Sequence, residues 1–276
     1  MQNRPVVLSI AGYDPSSGAG VTADVKTAAA MGCYAVTCIT ALTLQSTQGV
    51  FGLDPVRPEL VRDTIFRLAE DLEIAAVRIG MLGSARVAET VAECIQEFAL
   101  RNVVLDPVLR SSSGSKLIDD EGIEVIRRRL MPLCTVITPN TEEAVALAGM
   151  DYQNCSSGDS TDEIRNRQRK LAERLHQLGA KAVVITGGDL SKLSDLLSFY
   201  QHGAVEQRVF EDERIESRAT HGTGCAFATA LACGVAHGKE LPAAVREAKD
   251  FVRKAIAAAY PVGKAYGPMN HLFGLE

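Results

Sequence analysis

Residues 6–40 read VVLSIAGYDPSSGAGVTADVKTAAAMGCYAVTCIT. An apolar run at 6–10 is followed by a loop of glycine, serine and one proline at 12–20. An amphipathic, Ala-rich stretch at 22–31 then leads to a second β-branched run at 35–40. Strand, helix and strand in this order make a crossover unit, and the continuous apolar character of both strands means that each is covered on two faces. The same alternation runs outward along the chain. Strands are expected at 76–79, 103–105, 136–138 and 182–185, with helical patterns at 58–72, 85–100, 119–130 and 162–178. Residues 196–216 break the rhythm: runs at 197–200 and 205–210 flank His202 and Gly203 and read as a hairpin at a sheet edge. Helices at 222–236 and 242–259 close the pattern. The polar stretch 151–163 reads as a loop, because the alternation resumes beyond it. The expectation is an α/β chain with a central, mostly parallel sheet, forming one domain over residues 1–276.

The 276 residues are 46% hydrophobic and 23% charged, which excludes a disordered, collagen-like or coiled-coil chain. Lys plus Arg number 29 against 34 for Asp plus Glu, so no basic footprint for nucleic acid exists, and Arg127, Arg128 and Arg129 read as the wet face of a helix. Seven cysteines occur without a Cys-x-x-Cys pair or a His-Glu-x-x-His motif, and read as reduced thiols. No apolar run approaches the roughly 20 residues of a membrane helix. Met1-Gln2-Asn3-Arg4-Pro5 lead into the first strand without a leader-like stretch. A cytoplasmic chain with no membrane partner is expected.

Ligands of open α/β sheets sit at the carboxyl ends of the strands. The segments there are residues 12–20, Gln45, residues 80–83, Asp106, residues 140–143 and residues 187–188. Gly18-Ala-Gly20-Val-Thr-Ala23 matches a dinucleotide fingerprint, but that fingerprint needs an acid about 20 residues on. The next acid after the strand ending at Thr40 is Asp54, and no Gly-Lys-Ser/Thr ending of a P-loop is present. Asp24, at the start of the following helix, either caps it or hydrogen-bonds a polar ligand. The second cluster, Thr220-His-Gly222-Thr-Gly224-Cys225, opens an apolar helix. Free N–H groups at a helix start, with glycines giving access, make an anion site. The helix dipole there favours a Cys225 thiolate. Cys33, Cys38, Cys94, Cys134 and Cys233 are expected in the core, Cys155 has no assigned role, and His221 either touches ligand or finishes the loop.

Taken in order, these segments resemble the hydroxymethylpyrimidine/phosphomethylpyrimidine kinases of thiamine biosynthesis, in the ribokinase-like superfamily. The resemblance rests on residues 10–20 with Ala23-Asp24, on TALTLQSTQGV at 40–50, IGML at 79–82 and VLDPV at 104–108. It continues through ITPNTEEA at 137–144, VITGG at 184–188, residues 220–225 and YGPMNH at 266–271. It implies a three-layer α/β/α sandwich that uses ATP and Mg²⁺, leaves a monovalent cation open, and works as a homodimer on a small-molecule substrate. Its expected reaction phosphorylates 4-amino-5-hydroxymethyl-2-methylpyrimidine and then converts the monophosphate to the diphosphate. By the same resemblance, Cys225 takes the place of an aspartate base, with Gly222, Thr223 and Gly224 offering backbone donors to the transferring phosphoryl group. Asp106, Asn140, Glu143, Thr186 and Thr220 fall on the nucleotide, and Asp106 and Glu143 also on Mg²⁺, through water. Gly12, Ala19, Asp24, Gln45, Met81 and Val108 fall on the acceptor. A carboxamide at Gln45 sets one donor beside one acceptor, complementary to an aminopyrimidine edge; Met81 and Val108 would equally well be core residues.

Three departures from the family pattern stand out. Ser17-Gly18 replaces Gly-Gly, Ser46 replaces the Asn that usually follows Gln45, and Thr186-Gly-Gly-Asp189 stands where Lys-Gly-Gly-His is frequent. The last removes a cation from the phosphates and sets the second phosphorylation in question. Two rival readings are a pyridoxal or pyridoxine kinase, which shares the hydroxymethyl acceptor on an aromatic ring, and a catalytically silent precursor-binding sensor.

Overall fold

A computed structural model describes residues 4–111, 114–150, 160–187 and 192–275. The opening unit forms as read: β1 (Val6–Tyr13), α1 (Gly20–Ala30) and β2 (Tyr34–Ser46). Next come β3 (Gly49–Pro55), α2 (Pro58–Asp71), β4 (Ile74–Ile79), α3 (Ala85–Glu97), β5 (Val103–Leu105) and α4 (Asp120–Val125). The chain continues through β6 (Val136–Ile137), α5 (Thr141–Ala148), α6 (Thr161–Gln177), β7 (Ala182–Ile185), β8 (Lys192–Gln201), β9 (Ala204–Glu213), α7 (Thr223–Ala236) and α8 (Leu241–Ala257).

The nine strands among the described residues join one sheet in the order β3-β2-β1-β4-β5-β6-β7-β8-β9. The core from β2 to β7 is parallel. Two apolar clusters sandwich it. One packs Val61, Val91, Leu147 and Leu171 of α2, α3, α5 and α6 against one face. The other packs Ala28, Leu231 and Val245 of α1, α7 and α8 against the opposite face. The sheet thus lies between two helical layers, the three-layer arrangement expected. Strand order reverses at β1, which pairs with β2 on one side and β4 on the other. Such a switch point leaves a crevice at the strand ends.

Both sheet edges are antiparallel, whereas the sequence reading placed a hairpin at only one. That hairpin is β8–β9. At the other edge β2 runs beyond Thr40 to Ser46 and pairs with β3, so Gln45 lies in a strand rather than past one. The apolar positions of this hairpin point to water (Leu44 and Phe51 are 69% and 66% exposed), so its sequence carries no core-facing alternation. The helical pattern at 119–130 is also interrupted: α4 gives way to a π turn at Ile126–Leu130 and a 3-10 turn at Met131–Leu133, where Pro132 cannot continue an α-helix. Most of the polar stretch 151–163, with Cys155, lies outside the described residues, as do Gly188 and Asp189.

Candidate active site

A cavity of about 840 Å³ runs along the carboxyl ends of the parallel strands, from Gly12 and Gln45 at one end to Lys249 and Ile256 at the other. Its first wall is the β1–α1 loop, which folds around Asp14. One carboxylate oxygen accepts from Ser16 N and Oγ at 2.8 and 2.7 Å; the other accepts from Gly18 N at 3.1 Å and Ala19 N at 2.9 Å. His221 Nε2 lies 2.8 Å from the same oxygen, tying this loop to the one before α7. Burial works against ionisation of Asp14, but the bonds from His221 and Ser16 outweigh it and hold the carboxyl below its ordinary range. Gln45 closes this end: its Nε2 is 3.2 Å from His221 Nε2, and its Oε1 accepts from Thr43 Oγ1 at 3.0 Å. Met81 lies across the end of β1, in space that a Cβ at Gly12 would fill.

The floor is the start of α7. Gly222 at the N-cap has φ +79° and makes no side-chain cap; Thr223 N donates to the Thr220 carbonyl at 3.5 Å, and Gly224 and Cys225 of the same turn line the cavity. Cys225 is the third residue of this turn and is partly buried. Burial pushes its thiol up to about 11; Arg78 pulls it down, while Asp106 and Asp24 push it further up. Against the expected thiolate, burial holds this thiol protonated. The thiol is within hydrogen-bonding reach of Arg78 and Asp106.

Asp106 follows β5 and Glu143 sits in the first turn of α5. Asn140 caps that helix, and the two exchange reciprocal bonds: Asn140 Oδ1 accepts from Glu143 N, and Glu143 Oε2 accepts from Asn140 N, both at 2.9 Å. Burial, reinforced by Asp106, raises Glu143 to about 8. Asp106 rises to about 6, through burial first, with Arg78 opposing and Asp24 reinforcing. Two buried carboxylates that repel one another are hard oxygen donors suited to Mg²⁺, which keeps several waters and needs only one or two protein carboxylates beside phosphates. Among the described residues no group of three or more Asp, Glu, His or Cys side chains is placed to hold a metal ion. Beyond them, Thr186 bridges to Asn140, and Phe227, Val252 and Ile256 add apolar side chains to the cavity wall. Lys249 lies there too, paired with Asp195 at 2.5 Å and Asp212 at 3.3 Å.

Comparisons with known proteins identify relatives of the whole chain. A sequence family described as phosphomethylpyrimidine kinase matches residues 14–270. The chain belongs to the phosphomethylpyrimidine kinase family. It is 38% identical to the hydroxymethylpyrimidine/phosphomethylpyrimidine kinase of Streptomyces coelicolor over 98% of this chain and 96% of that protein. It is 40% identical to the thiamine biosynthesis bifunctional protein ThiED of Geobacter sulfurreducens over 99% of this chain, but spans only about half (53%) of that relative's length. Among solved structures, a Bacillus subtilis pyridoxal kinase bound to ADP superposes with a TM-score of 0.84 at 33% identity, covering 98% of both chains. The chain is therefore a phosphotransferase with a ribokinase-like fold.

As a member of the phosphomethylpyrimidine kinase family, it brings nearly all the residues expected for its site to one cavity. Gly12, Ala19, Gln45, Met81 and Val108 line the end near β1 and β2. Gly222, Thr223, Gly224 and Cys225 line the floor, and Asp106, Asn140, Glu143, Thr186 and Thr220 the remainder. Asp24 is the exception. It is fully buried beneath the floor, accepting from Ser9 Oγ at 2.6 Å and Thr229 Oγ1 at 2.7 Å, with Arg78 Nη1 at 3.2 Å. Its carboxylate neither caps α1 nor faces the cavity, because these three donors surround it in the core. Three residues escaped the sequence reading. Asp14 had a signal, an acid before Pro-Ser-Ser that suits an Asx turn. Arg78 had one too, a charge inside an otherwise apolar strand. Lys249 had none.

Proposed function

We propose that this chain transfers the γ-phosphoryl group of ATP to the hydroxymethyl oxygen of 4-amino-5-hydroxymethyl-2-methylpyrimidine, and then phosphorylates the monophosphate to the diphosphate. The observation that carries the reading is that one continuous cavity joins Gln45 to the Asn140–Glu143 turn across the bare first turn of α7. Gln45 presents donor and acceptor to an aminopyrimidine edge. The amides of Gly222, Thr223, Gly224 and Cys225 meet the charge of the transferring phosphoryl oxygens.

Phosphoryl transfer through a loose transition state needs little early deprotonation of the alcohol. A protonated Cys225 fits that order of events. Its S–H positions the alcohol, whose proton passes late to a transferring phosphoryl oxygen, so no free thiolate is required. Asp106 and Glu143 would hold Mg²⁺, through water at Glu143, and the ion would supply positive charge to the phosphates. A homodimer, a cytoplasmic location and an open monovalent-cation requirement belong to the same reading. Exposed Leu42, Leu44 and Phe51 on the β2–β3 hairpin support the first, and no described helix is long and apolar enough to cross a membrane.

The likeness to the Bacillus subtilis pyridoxal kinase favours a second reading, phosphorylation of pyridoxal. Purified protein with Mg–ATP is offered hydroxymethylpyrimidine, its monophosphate and pyridoxal in parallel, with products resolved by mass. Two phosphates on the pyrimidine are expected. One phosphate would remove the second step and leave Thr186 as its cause. Pyridoxal phosphate alone would overturn the Gln45 argument, and tight binding without turnover would make the chain a sensor.

A further inference from the structure

Arg78 is a charge in the middle of a parallel sheet. It sits in β4 between Val77 and Ile79, is fully buried, and stands in register with Ser9 of β1 and Val104 of β5. Its side chain runs up the strand toward the cavity, filling the space above Gly80; a Cβ at residue 80 would overlap its guanidinium. Nη2 donates to Asp106 Oδ2 at 2.7 Å, and Nη1 lies 3.2 Å from Asp24 Oδ2. Through Asp24 the group is fastened to Ser9 and Thr229, so β1, α1, β4, β5 and α7 meet on one guanidinium. Nε and Nη1 have no well-formed hydrogen bond among the described residues.

Stability does not account for this arrangement. Replacing a buried ion pair or triad by apolar residues of similar volume is often neutral or stabilising. What the guanidinium does is occupy one oxygen of Asp106, a residue that lines the cavity and is within hydrogen-bonding reach of the Cys225 thiol. We propose that Arg78 is a positioning residue for phosphoryl transfer, fixing the Asp106 carboxylate and, beside it, the Cys225 thiol beneath the transferring group. Arg78 acts through those two residues and not on the acceptor, whose expected contacts Gln45 and Met81 lie elsewhere in the cavity. The inference rests on the phosphotransferase reading, which the wild-type protein tests in the same experiment: without wild-type turnover that reading fails first, whatever the variants do.

The experiment compares Arg78→Met, Arg78→Lys and the double variant Arg78→Met/Asp24→Asn. The double variant removes both buried charges together, so it folds even where Arg78→Met leaves Asp24 uncompensated. For each, kcat is measured with Mg–ATP, acceptor affinity by calorimetry and the melting temperature by scanning. In whichever Met-containing variant folds, kcat should fall about 10- to 100-fold, the usual range for a second-layer partner, while acceptor affinity stays within about twofold, since an interaction realised only at transfer lowers kcat alone. Arg78→Lys keeps a cation against Asp106 and should recover most of that loss, and it decides the matter if neither Met variant folds. A folded Met-containing variant with unchanged kcat overturns the proposal. So does a parallel fall of kcat and acceptor affinity, or an Arg78→Lys protein as slow as Arg78→Met, because each would mean that Arg78 only holds the core.

Discussion

In the β1–α1 loop, the amides of Gly18 and Ala19 donate to Asp14, a carboxylate that the chain itself supplies. At the start of α7, the turn of Gly222, Thr223 and Gly224 has no side-chain cap and opens on the cavity. The two glycine-rich segments touch: a Cβ at Gly222 would overlap the carbonyl oxygen of Gly18, and His221 reaches across to Asp14. Yet one is a filled anion nest and the other an open one. The filled nest holds its neighbour in place; in the open one Thr223 N is turned to the Thr220 carbonyl, while no side-chain cap covers the turn from which Gly224 and Cys225 would meet a phosphoryl group. A glycine loop at a helix start is therefore a functional site only when no nearby carboxylate already satisfies it.

The strongest way to break this pairing is at the point of contact. Gly222→Ala puts a side chain on a residue with φ +79° and forces it against the Gly18 carbonyl. Strain of that kind, with the overlap added, should cost about 3 kcal/mol or more. Denaturant unfolding should show the loss, and turnover should vanish with it. Next in size is Asp14→Ala. It strips the partner from Ser16 N, Gly18 N and Ala19 N, and buried donors left unpaired cost about 1–3 kcal/mol each before water relieves them. The variant should also gain what the wild type lacks in this loop, an open nest. Inorganic phosphate should raise its melting temperature more than that of the wild type. Equal shifts would mean that the first loop was never an anion site in waiting.

The contrast between the loops was only half legible in the sequence. Both glycine clusters stood out, and so did the parallel core, because doubly covered strands are continuous apolar runs. The role of Asp14 depends on a turn that brings residues 18 and 19 back onto it, and nothing in the spacing fixes that. Asp24 and Arg78 were hidden differently: each is buried by elements far apart in sequence, so their pairing appears only when α1 and β4 are packed under α7. Cys225, read as activated, is held protonated by burial, whereas Cys33 is in the core as expected and its thiol is lowered by the hydrogen bond with Cys233, despite its burial. Dipole arguments from sequence see the helix start but not the dielectric around it. The β3 strand escaped because its apolar residues face outward.

Gly224→Ala sharpens the comparison without disturbing the fold. A Cβ there meets no atom within 4 Å, and alanine is the better helix former by about 1 kcal/mol. Melting should therefore be unchanged or slightly higher. A methyl in the open nest, however, displaces the phosphoryl group, and displacements of this order cost up to about 100-fold in rate. Unchanged kcat would show that the second loop's amides are not used.

The smallest effect expected is almost none. Cys225 keeps its proton until about pH 11, so at pH 8 only about a thousandth of it is thiolate, the form that alkylates. Iodoacetamide with peptide mapping should leave Cys225 unmodified near neutrality and modify it as the pH approaches 11. The sign for stability follows from the same displacement. A folded-state value above the unfolded one favours the protonated fold, so this contribution is complete below about pH 9 and is lost as the pH rises from there to about 11. Cys225→Ser should remove that decline. Rapid alkylation of Cys225 at pH 7 would mean that the amides of α7 are already spent on the sulfur. They would then be a nest filled from within, like the one around Asp14, and the distinction between the two loops would disappear.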